Sequence, residues 1–232
     1  MKYRGPATAL TAAACVTVIS SMLTSCSSET EESSKTPAPS TSSAFPYPPL
    51  QFRWDIAVPL NEQATAAAQF ALETATLESR MQIGEYDALL AQVNERVAYD
   101  NRPIPPSTPP LPETGGTLTR AVAVDEYAKD RWIVTYCDYD TPGAYTRSTD
   151  GSLRLSNPDW RYTAFQSNVA LTTEKSGAGK AATTPRLLVV GQARDDFPKS
   201  REPLNADAIC QPLMPEPFVR QPPAPVDIQP TK

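Results

Sequence analysis

The sequence predicts an α+β domain: a long helix packed on an antiparallel sheet, flanked by a disordered proline-rich tether and a proline-rich tail. Three observations predict it. Residues 64 to 97 hold no proline and carry apolar residues at helical spacing. After residue 117 the chain turns to short runs rich in Val, Tyr, Thr and Ile, punctuated by turn residues. Most of the 25 prolines crowd into residues 37 to 59, 103 to 112 and 212 to 230, zones that cannot supply regular helix or central strand. The foldable part is therefore residues 50 to 210, enough for one core of ordinary domain size.

The chain begins MKYRGPATALTAAACVTVISSMLTSC, with Lys2 and Arg4 ahead of a weakly polar run from Ala7 to Met22. This is the three-part layout of an export signal, and the apolar run is too short and too interrupted by Thr and Ser for a spanning helix. Leu23-Thr24-Ser25-Cys26 resembles the lipobox of bacterial lipoproteins. The resemblance implies cleavage after Ser25, acylation of the Cys26 sulfur and a lipid-anchored mature N-terminus outside the cytoplasm. Two acyl chains anchor stably where one holds marginally, since each buried CH₂ contributes roughly 0.8 kcal/mol. The competing readings are a plain secretory signal with a chance cysteine, or an uncleaved anchor. In its low-lysine, Ala-, Thr- and Pro-rich mature part the chain is similar to actinobacterial lipoproteins of unassigned role.

Removing residues 1 to 25 takes away Lys2 and Arg4 and no acid, so the net charge moves from −5 to −7. An acidic surface argues against nucleic acid and against electrostatic docking on anionic lipid. There is no histidine, which removes the usual general base and the commonest transition-metal ligand. Of four cysteines, Cys15 leaves with the signal and Cys26 is assigned to the lipid, leaving Cys137 and Cys210. Outside the cytoplasm a lone pair most simply forms a disulfide; two free thiols, one of them catalytic, are the alternative.

Residues 26 to 49 offer almost nothing to bury and read as the tether. Phe52, Trp54, Ile56 and Val58 alternate, as in a first strand or a packed arm. Asn61 can cap the helix that follows, with Glu62 in its first turn. Phe70, Leu77 and Met81 form one stripe and Ile83, Tyr86, Leu90, Val93 and Val97 another, out of phase, so a kink or break is expected near Gly84. Residues 100 to 117 form a proline-rich loop. Within it, Leu111-Pro112-Glu113-Thr114-Gly115 is similar to the sortase substrate motif, but no apolar span and basic tail follow, and we read the match as coincidence.

The sheet is expected to begin with Leu118 to Tyr127, turn through Lys129-Asp130, and continue with Trp132 to Cys137. Asp140, Pro142 and Gly143 mark another turn; Asp150-Gly151 sits between two runs as a hairpin signal. Strands over Arg161 to Thr173 and Leu187 to Val190 follow, joined by a flexible small-residue hairpin tip. Consecutive strands joined by hairpins imply an antiparallel sheet, and the helix before it implies a layer pair. This outline resembles the cystatin-like and NTF2-like folds. Residues 211 to 232 read as an extended, largely unpacked tail.

Three stretches invite a chemical reading. Ser176 to Ala181 is a poor phosphate loop, because Glu174 stands where the first Gly is needed and Ala181 where Ser or Thr would meet Mg²⁺. Asp138, Asp140 and Asp150 are the acids a carboxylate hydrolase or a Ca²⁺ site would use, and turn formation explains them equally. No GxSxG elbow occurs. The expectation is thus a non-enzymatic lipoprotein of the cell envelope, held to the membrane through Cys26, with no cofactor or metal and with an envelope protein as a candidate partner. The alternatives are a carboxylate-dependent envelope hydrolase and a small solute-binding lipoprotein.

Overall fold

The computed structural model describes residues 45–194 and 204–226. The lipobox, Cys26 and the tether up to residue 44 lie outside the described residues, as do residues 227 to 232. The fold is α+β, with a six-stranded sheet and a helical stretch of 35 residues that breaks once.

Strand β1 (Gln51–Ile56) leads to helix α1 (Glu62–Arg80). The Asn61 carboxamide accepts from the Ala64 N–H at 2.8 Å and so caps the helix. The face that α1 buries is mostly alanine: Ala64, Ala67, Ala68, Ala71 and Ala75, with Leu72 and Leu77. Small side chains let the helix axis approach the sheet closely. A π-type turn, Met81–Glu85, ends at the break, where Gly84 takes φ +120°, a conformation few other residues adopt without strain. Helix α2 (Tyr86–Arg96) then sets off on a new heading and buries Leu89 and Val93. The out-of-phase stripes are resolved in this way, one per helix.

The remaining strands are β2 (Glu113–Ala128), β3 (Arg131–Arg147), β4 (Leu153–Leu155), β5 (Tyr162–Thr172) and β6 (Arg186–Arg194). They stand in the order β1-β2-β3-β5-β6, with β4 paired to β3. Four pairings are antiparallel, but β1 runs parallel to β2, so the sheet is mixed rather than antiparallel as expected. The reason is the connection: α1, α2 and the proline-rich segment form a crossover long enough to return the chain in the same direction. Trp132, Val134 and Tyr136 of β3, Val169 of β5 and Val189 of β6 meet the helices in the main core.

Two further expectations change. Residues 140 to 143 do not turn; β3 runs through them with a cis Thr141–Pro142 bond. Opposite lies Gly115, where a Cβ would stand 2.0 Å from the Gly143 carbonyl oxygen, and the register shifts between Gly116 and Leu118. Pro and Gly here make an irregularity in a long hairpin, not its end. The described part of the proline-rich tail, moreover, is packed. A short helix α3 (Ala206–Cys210) and the chain on either side of it lay Leu204, Ile209, Leu213, Met214 and Phe218 against Leu118, Val122, Tyr139 and Ala164 on the sheet. Residues 45–49, placed in the tether by the sequence, join the same framework: the Val226 N–H donates to the Pro46 carbonyl at 2.7 Å.

Candidate binding cleft

Cys137 of β3 and Cys210 of α3 form a disulfide, with Cα atoms 5.7 Å apart and both residues fully buried. Neither is therefore a free thiol. The bridge fixes α3 to the sheet, and the Tyr139 hydroxyl reinforces it by donating to the Cys210 carbonyl at 2.7 Å. Burial pushes the Tyr139 phenol up to about 12, so it remains a donor at neutral pH.

Further along the tail, Arg220 reaches β3. Its guanidinium lies 3.1 Å from Asp140 of β3, the side chains being only 18 % and 14 % exposed. This is a contact of charges without hydrogen-bond alignment. Burial raises the Asp140 pKa, while the Ala144 N–H at 2.6 Å and the Arg220 charge oppose the rise. Arg220 also donates to the Pro158 carbonyl at 2.9 Å and to the Trp160 carbonyl. One side chain thus ties the tail to the loop before β5.

That loop and α3 are the two walls of a cleft of about 410 Å³ lined by Asp159, Trp160, Arg161, Tyr162, Thr163 and Asp207, with Ala206. Asn205 caps α3 through the Ala208 N–H at 3.1 Å, which sets Asp207 in the first turn. The Tyr162 hydroxyl donates to the Asp207 carboxylate at 2.7 Å, a bond that is the first cause of a raised Tyr162 pKa. The Tyr162 ring rests edge-on against Tyr139, with centroids 6.1 Å apart. Trp160 stands 46 % exposed beside them. A second groove of about 630 Å³ lies between the π-type turn and the proline-rich segment, with Ile83, Pro110, Leu111 and Arg154 on its walls.

The acids singled out in the sequence serve separate ends. Asp140 faces Arg220, Asp138 sits in β3 opposite Thr119 and Thr163, and Asp150 accepts from the Ser152 N–H at 2.9 Å in the β3–β4 turn. Among the described residues no group of three or more Cys, Asp or Glu side chains is arranged to hold a metal ion. The small-residue connection between β5 and β6 is docked rather than free: the Gly177 and Ala178 N–H groups donate to the Val97 and Asn94 carbonyls at 2.8 and 3.1 Å. In the sortase-like motif Thr114 is wholly buried in β2, its hydroxyl donating to the Pro48 carbonyl at 2.6 Å. Sequence reasoning missed Trp160, Tyr162, Asp207 and Arg220; the one signal was a turn-forming run that ends in a tryptophan, Asn157-Pro158-Asp159-Trp160.

The chain matches no protein-family profile, no curated protein and no solved structure.

Proposed function

We propose that the protein is a cell-envelope lipoprotein, a bridged binding domain held at the membrane through acylated Cys26, which presents the cleft at Trp160 and Tyr162 outward. The basic and apolar lead into Leu23-Thr24-Ser25-Cys26 supports the anchor. The Cys137–Cys210 disulfide supports an oxidising compartment, because bridges of this kind persist there and not in a reducing cytosol. No described helix is long and apolar enough to cross a membrane.

The observation that carries the binding role is the set of contacts that brace the cleft. A disulfide, a capped helix and the Arg220 clamp hold its walls before any ligand arrives, and preorganisation is what converts contacts into affinity. Fractionation tests the anchor. Expressed with its leader in a bacterial host, the protein should partition with membranes and move to the soluble extracytoplasmic fraction on Cys26→Ala. Equal membrane retention of both forms contradicts the reading.

A further inference from the structure

We propose that the cleft between the loop before β5 and α3 receives a neutral saccharide unit of an envelope glycan. The inference rests on the reading of the protein as an extracytoplasmic binding domain and adds the ligand class. Its basis is the mixture of groups that share one space of about 410 Å³, which is within the size range of small-ligand sites. Asp159 and Asp207 only accept hydrogen bonds when ionised, whereas the Arg161 guanidinium only donates. An anion would face two carboxylates and a cation would face the guanidinium. Hydroxyl groups both donate and accept, so a polyol satisfies all three.

The aromatic pair supplies the other half of sugar recognition. Trp160 is half exposed and lines the cleft, and its backbone is held through the Arg220 guanidinium. A pyranose ring has an apolar C–H face that an indole covers while the ring hydroxyls turn to polar neighbours. Tyr162 is fixed by Tyr139 on one side and Asp207 on the other, so the polar rim is set before binding. A purely apolar ligand would draw water from the Asp207 carboxylate and the Arg161 guanidinium and offer neither a hydrogen bond in return, which is costly.

The test uses the full mature chain, detergent-solubilised, titrated with neutral tetrasaccharides of glucose, mannose and N-acetylglucosamine, and separately with putrescine and citrate. Proton–nitrogen spectra follow the Trp160 indole and the Thr163 and Asp207 amides. At least one saccharide should shift these signals saturably at millimolar concentration, and Trp160→Ala should weaken binding about tenfold. Should that variant fail to fold, Asp207→Asn carries the same readout. Putrescine and citrate should leave the signals in place. The proposal is overturned if no saccharide moves them, if the shifts fall elsewhere, if binding persists in the variants, or if a charged probe takes the cleft instead. Failure here leaves the fractionation result of Cys26→Ala untouched, so the two readings fall separately.

Discussion

At the scale of single residues, the Arg220–Asp140 contact is the most consequential feature that spacing could not announce. The two positions are far apart in sequence; Asp140 reads alone as a turn residue or candidate acid, and Arg220 lies in a stretch read as an unpacked tail. Together they sit 3.1 Å apart and largely enclosed. Removing one partner of a buried pair strands the other, at a cost of about 3–5 kcal/mol. Arg220→Ala should therefore lower the midpoint of thermal unfolding markedly. The loss should depend on pH in a definite direction. A carboxyl whose folded pKa is raised contributes most below its unfolded pKa, and that contribution is lost as pH rises through the folded value. Arg220→Ala removes a charge that opposes the rise, so its deficit against the parent should be largest near neutrality and shrink towards acid. A deficit that grows on acidification would refute this assignment.

At the scale of elements, the long helix, its Asn61 cap and the break at Gly84 were legible because capping and helical periodicity are local. Which face would be buried was less so: the stripes marked Phe70 and Leu77, while the seam is built chiefly from alanines whose hydropathy gives little signal. Gly84→Ala should destabilise by roughly 1–2 kcal/mol in chemical denaturation, since φ +120° suits only glycine and no atom blocks the new methyl group more closely than Pro110 at 3.6 Å. The β1–β2 pairing was misread because parallel register depends on a crossover, not on any local pattern. The sortase-like motif shows the converse, a local pattern without its context. Leu111 is 63 % exposed, yet Thr114 and Gly115 of β2 are paired with Tyr145 and Ala144 of β3. Sortase should cleave a synthetic peptide of residues 109 to 117 and leave the folded protein intact; clipping of the folded protein would show that the start of β2 opens.

At the scale of the molecule, the sheet is covered on one face by α1 and α2 and, over part of the other, by a proline-rich strap stapled through Cys210. The strap escaped sequence analysis because its apolar residues are spaced by prolines and follow neither period of regular structure. Prolines also make it cheap to order, since their φ is already restricted. The bridge spans 73 residues, and a loop of that size is stabilised by roughly 4 kcal/mol in the chain-entropy account. Cys210→Ser should accordingly destabilise the domain by about 2–5 kcal/mol, and signals of the Trp160 cleft should broaden as α3 loosens. The cleft itself was invisible in the sequence because its walls come from segments more than forty residues apart, brought together by contacts such as Tyr162–Asp207 and Arg220–Pro158.

The intact mass of protein taken from its native membrane tests the central claim most directly. The account predicts a chain that starts at Cys26, carries acyl groups on that residue, and gains the mass of two hydrogens on reduction as Cys137–Cys210 opens. A chain that retains residues 1 to 25, or bears an unmodified Cys26, would contradict it.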